Sequence, residues 1–262
     1  LTKTIAERAA AALAVLTLAL QAAAAPAPPE PPRGRAPEYE AAERLFARAG
    51  PLEPFGEALE RWQFDGRQPY QSLMLGSYAR VERHLKLGAF YRLERGARHD
   101  DDWIRDAATK QWRWADTTSR PESSLVLDAT PRAALPWLPG RTWTVFLKLR
   151  YEHDFFNGES VLRAAPELAW FWMSGLTPRA TVFLRHEEAF PLDFGQTTVW
   201  QRWTYLAALW HATPHLSLGP SAALRDEAWS TSTDYRSFKG EAASYRVLYR
   251  AWVLGFSLVG RL

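Results

Sequence analysis

From residue 55 onward apolar and polar residues alternate with period two, the spacing of a strand with one apolar and one polar face. Residues 142–152 show it best. Trp143, Val145, Leu147, Leu149 and Tyr151 share one face, and Thr144, Phe146, Lys148, Arg150 and Glu152 share the other. Residues 85–94 repeat it, with Leu85, Leu87, Ala89, Tyr91 and Leu93 opposed by Lys86, Gly88, Phe90, Arg92 and Glu94. Turn residues such as Thr177-Pro178 and Thr213-Pro214 punctuate the runs. The pattern predicts ten strands, at about 55–65, 70–81, 85–95, 122–130, 142–153, 160–173, 179–188, 197–211, 215–227 and 244–261. Pro131, Pro166 and Pro220 fall inside them and call for bulges or strand ends.

The segment ahead of the strands reads differently. Lys3 and Arg8 precede the apolar run 9–20, and Ala22 to Ala25 supply a small-residue cleavage site, so residues 1–24 match a secretory signal peptide. An uncleaved anchor helix is the alternative, but the apolar run is short for a span. Residues 25–54 are expected to form a Pro-rich linker followed by a short periplasmic helix over 38–49, stopped by Gly50-Pro51. Residues 55–262 are then the folded domain. No stretch after residue 25 reaches the roughly 20 apolar residues of a membrane helix, whereas several predicted strands have the roughly 9–11 of a tilted membrane strand. Short links alternate with longer ones over 96–121, 189–196 and 228–243, as in outer-membrane barrels. The expected fold is all-β: an antiparallel up-and-down transmembrane β-barrel of about ten strands. With the first strand running outwards, the long links lie outside and the C-terminus returns to the periplasm.

Each strand that would run outwards ends in Arg-x-Glu: Arg92 and Glu94, Arg150 and Glu152, Arg185 and Glu187, Arg225 and Glu227. Arg61-Trp62-Gln63 is a degraded copy. Residues two apart share a face, so these pairs predict a charged ring near one mouth of a narrow lumen. The ring is either a structural salt-bridge plug or a selectivity ring. A secreted lipocalin-like barrel would show the same alternation with the apolar face inside. Small residues on the charged face (Gly76, Gly88, Ala165, Gly219, Ala223) and the very apolar last strand favour the membrane arrangement.

Arg150-Tyr151-Glu152-His153, Arg185-x-x-Glu188-x-Phe190, Arg202-x-x-Tyr205 and the Thr213-Pro214 turn with Leu216-x-Leu218-Gly219 resemble an uncharacterised family of small Gram-negative outer-membrane β-barrels. The resemblance covers roughly half of the chain. It implies fold and a cell outer-membrane location and carries no activity.

Composition narrows the chemistry further. Lys+Arg 32 against Asp+Glu 29 leaves no basic excess for nucleic acid, and the absence of Cys removes thiol chemistry and Cys-ligated metals. The sequence calls for no cofactor and no metal. Trp 13, Tyr 9 and Phe 13 suit an interface between apolar and wet surroundings. His153, near Asn157-Gly158, is a candidate catalytic base for a lipid A or phospholipid hydrolase. Phe156 stands where the nucleophile belongs, and Ser160 is displaced from the motif. His99 with Asp100, Asp101 and Asp102 could bind a divalent cation, but a charged external loop is the commoner explanation, and Trp112, Arg113 and Trp114 could contact sugar or lipopolysaccharide. Arg246 and Arg250, just above the apolar face of the last strand, are expected to meet lipid headgroups. The expected partners are outer-membrane lipid and lipopolysaccharide, the barrel-assembly machinery, and a periplasmic protein docking on 38–49. The function expected is non-enzymatic, with hydrolase and secreted ligand-binding barrel as alternatives.

Overall fold

The computed structural model describes residues 37–63, 70–96, 102–105, 112–115, 121–156, 158–193, 199, 201–230 and 246–262. Thirteen strands follow in chain order: β1 (Glu38–Phe46), β2 (Leu52–Gln63), β3 (Tyr70–Glu82), β4 (Leu85–Arg95), β5 (Asp102–Arg105), β6 (Trp112–Ala115), β7 (Glu122–Ala134), β8 (Trp143–Asp154), β9 (Ser160–Ser174), β10 (Thr177–Pro191), β11 (Gln201–Thr213), β12 (Leu216–Ser230) and β13 (Arg246–Arg261). Eleven of them close into a barrel in the order β1-β13-β12-β11-β10-β9-β8-β7-β4-β3-β2. β5 and β6 form a separate hairpin in the link between β4 and β7. The signal-peptide and linker expectations for residues 1–36 lie outside the described residues, as does His99.

All ten expected strands are present, and an eleventh is added. The expected helix over 38–49 is instead strand β1. Glu, Ala, Arg and Leu are good helix formers, but that preference is worth only tenths of a kcal/mol per residue. β1 is hydrogen-bonded on one side to β2 and on the other to β13, so it satisfies two edges that would otherwise stay open. The helical surface that a periplasmic partner of 38–49 would need is therefore not formed. Adding β1 also corrects the topology. Its pairing with β13 is parallel, Glu38 opposite Val253 and Phe46 opposite Arg261, while every other barrel pair is antiparallel. The barrel is mixed, not purely up-and-down.

Short turns gather at one rim: Arg83-His84, Gly175-Leu176 and Pro214-His215, joined there by the ends of β1 and β13. The links from β4 to β7, β10 to β11 and β12 to β13 join strand ends at the opposite rim, but the link 135–142 between β7 and β8 lies at the short-turn rim and breaks the expected alternation. The three prolines sit inside strands without shifting the register. At each, pairing with one neighbour is skipped for two residues while the other neighbour stays paired, as for Pro220 opposite Phe256. A proline lacks only one ladder donor, so one side of the strand suffices.

The two faces separate cleanly. Leu75, Leu93, Leu149, Leu184, Leu206 and Phe256, from six different strands, are 37–55% exposed on the outer wall. Inward positions carry Met74, Phe90, Val126, Asp128, Glu152 and Arg225, all nearly inaccessible. Two carboxylates, Glu43 on β1 and Glu60 on β2, interrupt the apolar wall beside the parallel seam.

Candidate functional site

The lumen is built in layers because inward positions recur every second residue on each strand. At the short-turn rim, Phe46, Phe55, Met74, Tyr78, Phe90 and Val126 pack into one block on the β1–β7 side. The Tyr78 and Phe90 rings are 4.7 Å apart, and Phe55 is 5.4 Å from each. Gly76 and Gly88 are required here: a Cβ on Gly88 would come within 2.5 Å of the Phe90 ring. Lys86 lies below, its Nζ 3.7 Å from the Tyr78 ring centroid and 2.6 Å from Glu53. Across the lumen at the same rim, His211 bridges Thr181 and Ser217 at 2.8 and 2.7 Å, and Arg261 donates to Ser217 at 3.0 Å.

Ion pairs fill the middle and the mouth near the long links. Arg44 meets Glu57 at 2.5 Å, and Arg185 meets Glu167 at 2.5 Å. Asp128 takes Lys148 at 3.2 Å and Arg150 at 3.4 Å. Glu152 is the hub above them. It accepts from Arg92 at 3.0 and 3.2 Å and from Arg163 at 3.0 Å, with Arg150 at 3.9 Å. Arg92 also meets Glu94 at 2.9 Å, and Tyr70 donates to Glu94 at 2.9 Å. Arg163 continues to Glu187 at 3.1 Å and Gln201 at 3.0 Å. On the far side Arg225 meets Glu38 at 2.6 Å and Arg61 meets Glu40 at 2.8 Å. Arg61 stacks between the rings of Tyr70 and Trp203, at 4.9 and 4.6 Å, which links the two halves. The space left in the centre is about 380 Å³.

The residues singled out in the sequence thus have the following places. Arg92, Glu94, Arg150 and Glu152 form one connected group. Arg185 and Glu187 do not pair with each other; each crosses to β9, to Glu167 and Arg163. Arg225 reaches β1 rather than its own strand, and the side chain of Glu227 lies outside the described residues. Glu38, Glu40, Asp128, Arg163 and Glu167 were missed. Arg163, Glu167 and Asp128 lie on strands running the other way, where the inward parity of the charges was the available signal. Glu38 and Glu40 were masked by the helical reading.

His153 lies on the outer wall near the rim of the long links. Its cross-strand partner is Ser160, whose Oγ is 3.1 Å from His153 Nδ1 and 3.2 Å from the Tyr151 hydroxyl. The Ser160 N–H donates to Asp193 at 2.7 Å. A base and a hydroxyl therefore meet without the expected motif. Further round the same rim, Arg202 donates to Glu188 at 2.9 Å and Arg250 donates to Asp226. Arg246 is register partner to Ser230, and its side chain lies outside the described residues. Among the described residues no cluster of three His, Asp or Glu side chains is disposed to hold a metal ion. Comparison with protein-family models, with characterised proteins and with solved structures finds no match for this chain.

Proposed function

We propose that the chain is an integral outer-membrane β-barrel whose lumen is held shut by its own ion pairs. It serves envelope structure, and any passage of solute or polysaccharide is limited by that web. The observation that carries this reading is the sidedness of the wall: leucines and aromatics outside, arginines and glutamates inside. In water such an exterior would be an unusually large apolar surface. A lipocalin-like carrier would need an apolar cavity, whereas the cavity here, although it touches Phe55, Met74 and Trp203, is also lined by Arg44, Glu57, Arg92, Lys148, Glu152 and Arg163. Glu43 and Glu60 are compatible with a lipid-facing wall, since carboxylates there cost less than Arg or Lys.

Vesicle flotation with a heat-modifiable gel shift tests location, and planar-bilayer recording tests the lumen. Flotation with no large steady conductance is expected. A protein that stays soluble without detergent refutes the membrane reading, and a large stable conductance refutes the closed lumen.

The 3.1 Å contact between His153 and Ser160 favours a second reading, a lipid hydrolase. Ser160 Oγ would attack an ester carbonyl, pass its proton to His153, and release the alcohol; water would then free the acid. It ranks second because no carboxylate among the described residues is hydrogen-bonded to the other ring nitrogen of His153. Ester cleavage by the purified protein, abolished in both His153→Ala and Ser160→Ala, would reverse the order.

A further inference from the structure

Four charged side chains on the outer wall fall into one row that no single strand reveals. Glu188 on β10 is register partner to Arg202 on β11, Arg202 to Asp226 on β12, and Asp226 to Arg250 on β13. Their signs alternate. All four point outward at the rim of the long links, and each stands two to four positions beyond an apolar residue on its own strand: Leu184, Leu206, Leu224 and Trp252. Among the described residues the outer wall of β7–β9 carries uncharged or histidine polar groups near this rim, Ser123, Tyr151, His153 and Ser160, and no such row of carboxylates and arginines.

The two arginines share one geometry. Each is held by a neighbouring carboxylate through Nε, Arg202 by Glu188 and Arg250 by Asp226. Both remain about half exposed, 54% and 51%. A guanidinium fixed at Nε keeps its two terminal NH₂ groups for another acceptor, and that fork matches a phosphate. Two strand spacings separate the forks, about 10 Å. Directly below lies apolar wall suited to an acyl chain.

We infer that this row is a binding site for a phosphate-bearing lipid headgroup, its phosphates taken by the Arg202 and Arg250 forks and its chains lying on Leu206 and Trp252. The inference rests on the membrane reading above. The row carries no net charge, so recognition comes from directed hydrogen bonds and not from a basic field. A lysine keeps the charge but loses the fork.

The test uses the full protein inserted in phosphatidylcholine vesicles containing equal minor amounts of an acylated glucosamine phosphate and its dephosphorylated form. Lipids that remain bound after mild detergent extraction are counted by mass spectrometry. The wild type should retain the phosphorylated lipid in several-fold excess. Arg202→Lys/Arg250→Lys should bring the ratio close to one while insertion and the heat-modifiable shift are unchanged. An unchanged ratio in that variant overturns the inference, as does an inserted wild type without preference; both leave the membrane reading standing. Displacement by inorganic phosphate at equal concentration identifies a soluble phosphate as the ligand and overturns the lipid assignment. Failure to insert at all overturns both.

Discussion

Removing the carboxylate of Glu152 should be the most damaging loss of a single charge in the lumen. Its side chain is 6% exposed and takes three hydrogen bonds from Arg92 and Arg163, with Arg150 nearby. Glu152→Ala leaves those cations buried around a void. Breaking a buried pair by deleting one partner costs about 3–5 kcal/mol. With a urea slope of about 3 kcal/mol per M for a chain of this size, the midpoint should fall by roughly 1–1.7 M. Glu167→Ala supplies the comparison. Its single partner, Arg185, is 27% exposed, so solvent can take up the freed charge and the loss should be about 1–2 kcal/mol. Refolding in detergent followed by far-ultraviolet circular dichroism across a urea series measures both. Midpoints within about 0.3 M of wild type for Glu152→Ala, or equal losses for the two variants, would refute the claim that Glu152 is the hub on which Arg92 and Arg163 depend. A wet lumen would hydrate the stranded arginines and erase the difference.

Three further outcomes can be checked directly. Leu206→Arg, on the outer wall, should destabilise the lipid-inserted protein by up to about 2–4 kcal/mol by vesicle-refolding titration, whereas a water-facing wall would show no loss. Phe90→Ala empties the centre of the aromatic block and should cost about 3–5 kcal/mol; if that block seals the short-turn rim, bilayer recordings of the variant should also show new small conductance steps. Gly219→Ala should fail to give the heat-modifiable species, because its Cβ would lie 1.8 Å from the Ala208 carbonyl oxygen; Gly158→Ala, with a φ of +69° and open space, should fold with a loss of about 1 kcal/mol.

What could be read from the sequence was local. Alternation and turn residues located the ten strands because both act within a few residues. β1 escaped because Glu-Tyr-Glu-Ala-Ala-Glu-Arg-Leu-Phe suits a helix equally well, and only the two waiting edges of β2 and β13 decide the matter. Arg92, Arg150 and Glu152 share the inward face by parity, but parity carries no register. That is why the cross-strand partners of Arg185 and Glu187, Glu167 and Arg163, and the row from Glu188 to Arg250 are not legible in the sequence. Ser160 was passed over for a different reason. It lies outside the sequence motif, while the pairing of β8 and β9 sets it directly opposite His153.

The side-by-side run of β1 and β13 has a consequence for biogenesis. Glu38 and Arg225 are 187 positions apart yet share a hydrogen bond across the seam region. Bringing such distant segments together carries a loop-closure cost of roughly 5 kcal/mol, plus a constant, before any contact at the seam forms. Until β13 is made, the nascent sheet is an open ribbon with β1 and β12 as bare margins, and it can zip only once. A chain stopped before residue 246 should therefore persist as a sticky ribbon. Joining residue 262 to residue 38 by a linker would not yield a simple permutant either, because those two strand ends stand at different heights on the wall and the linker would have to climb between them.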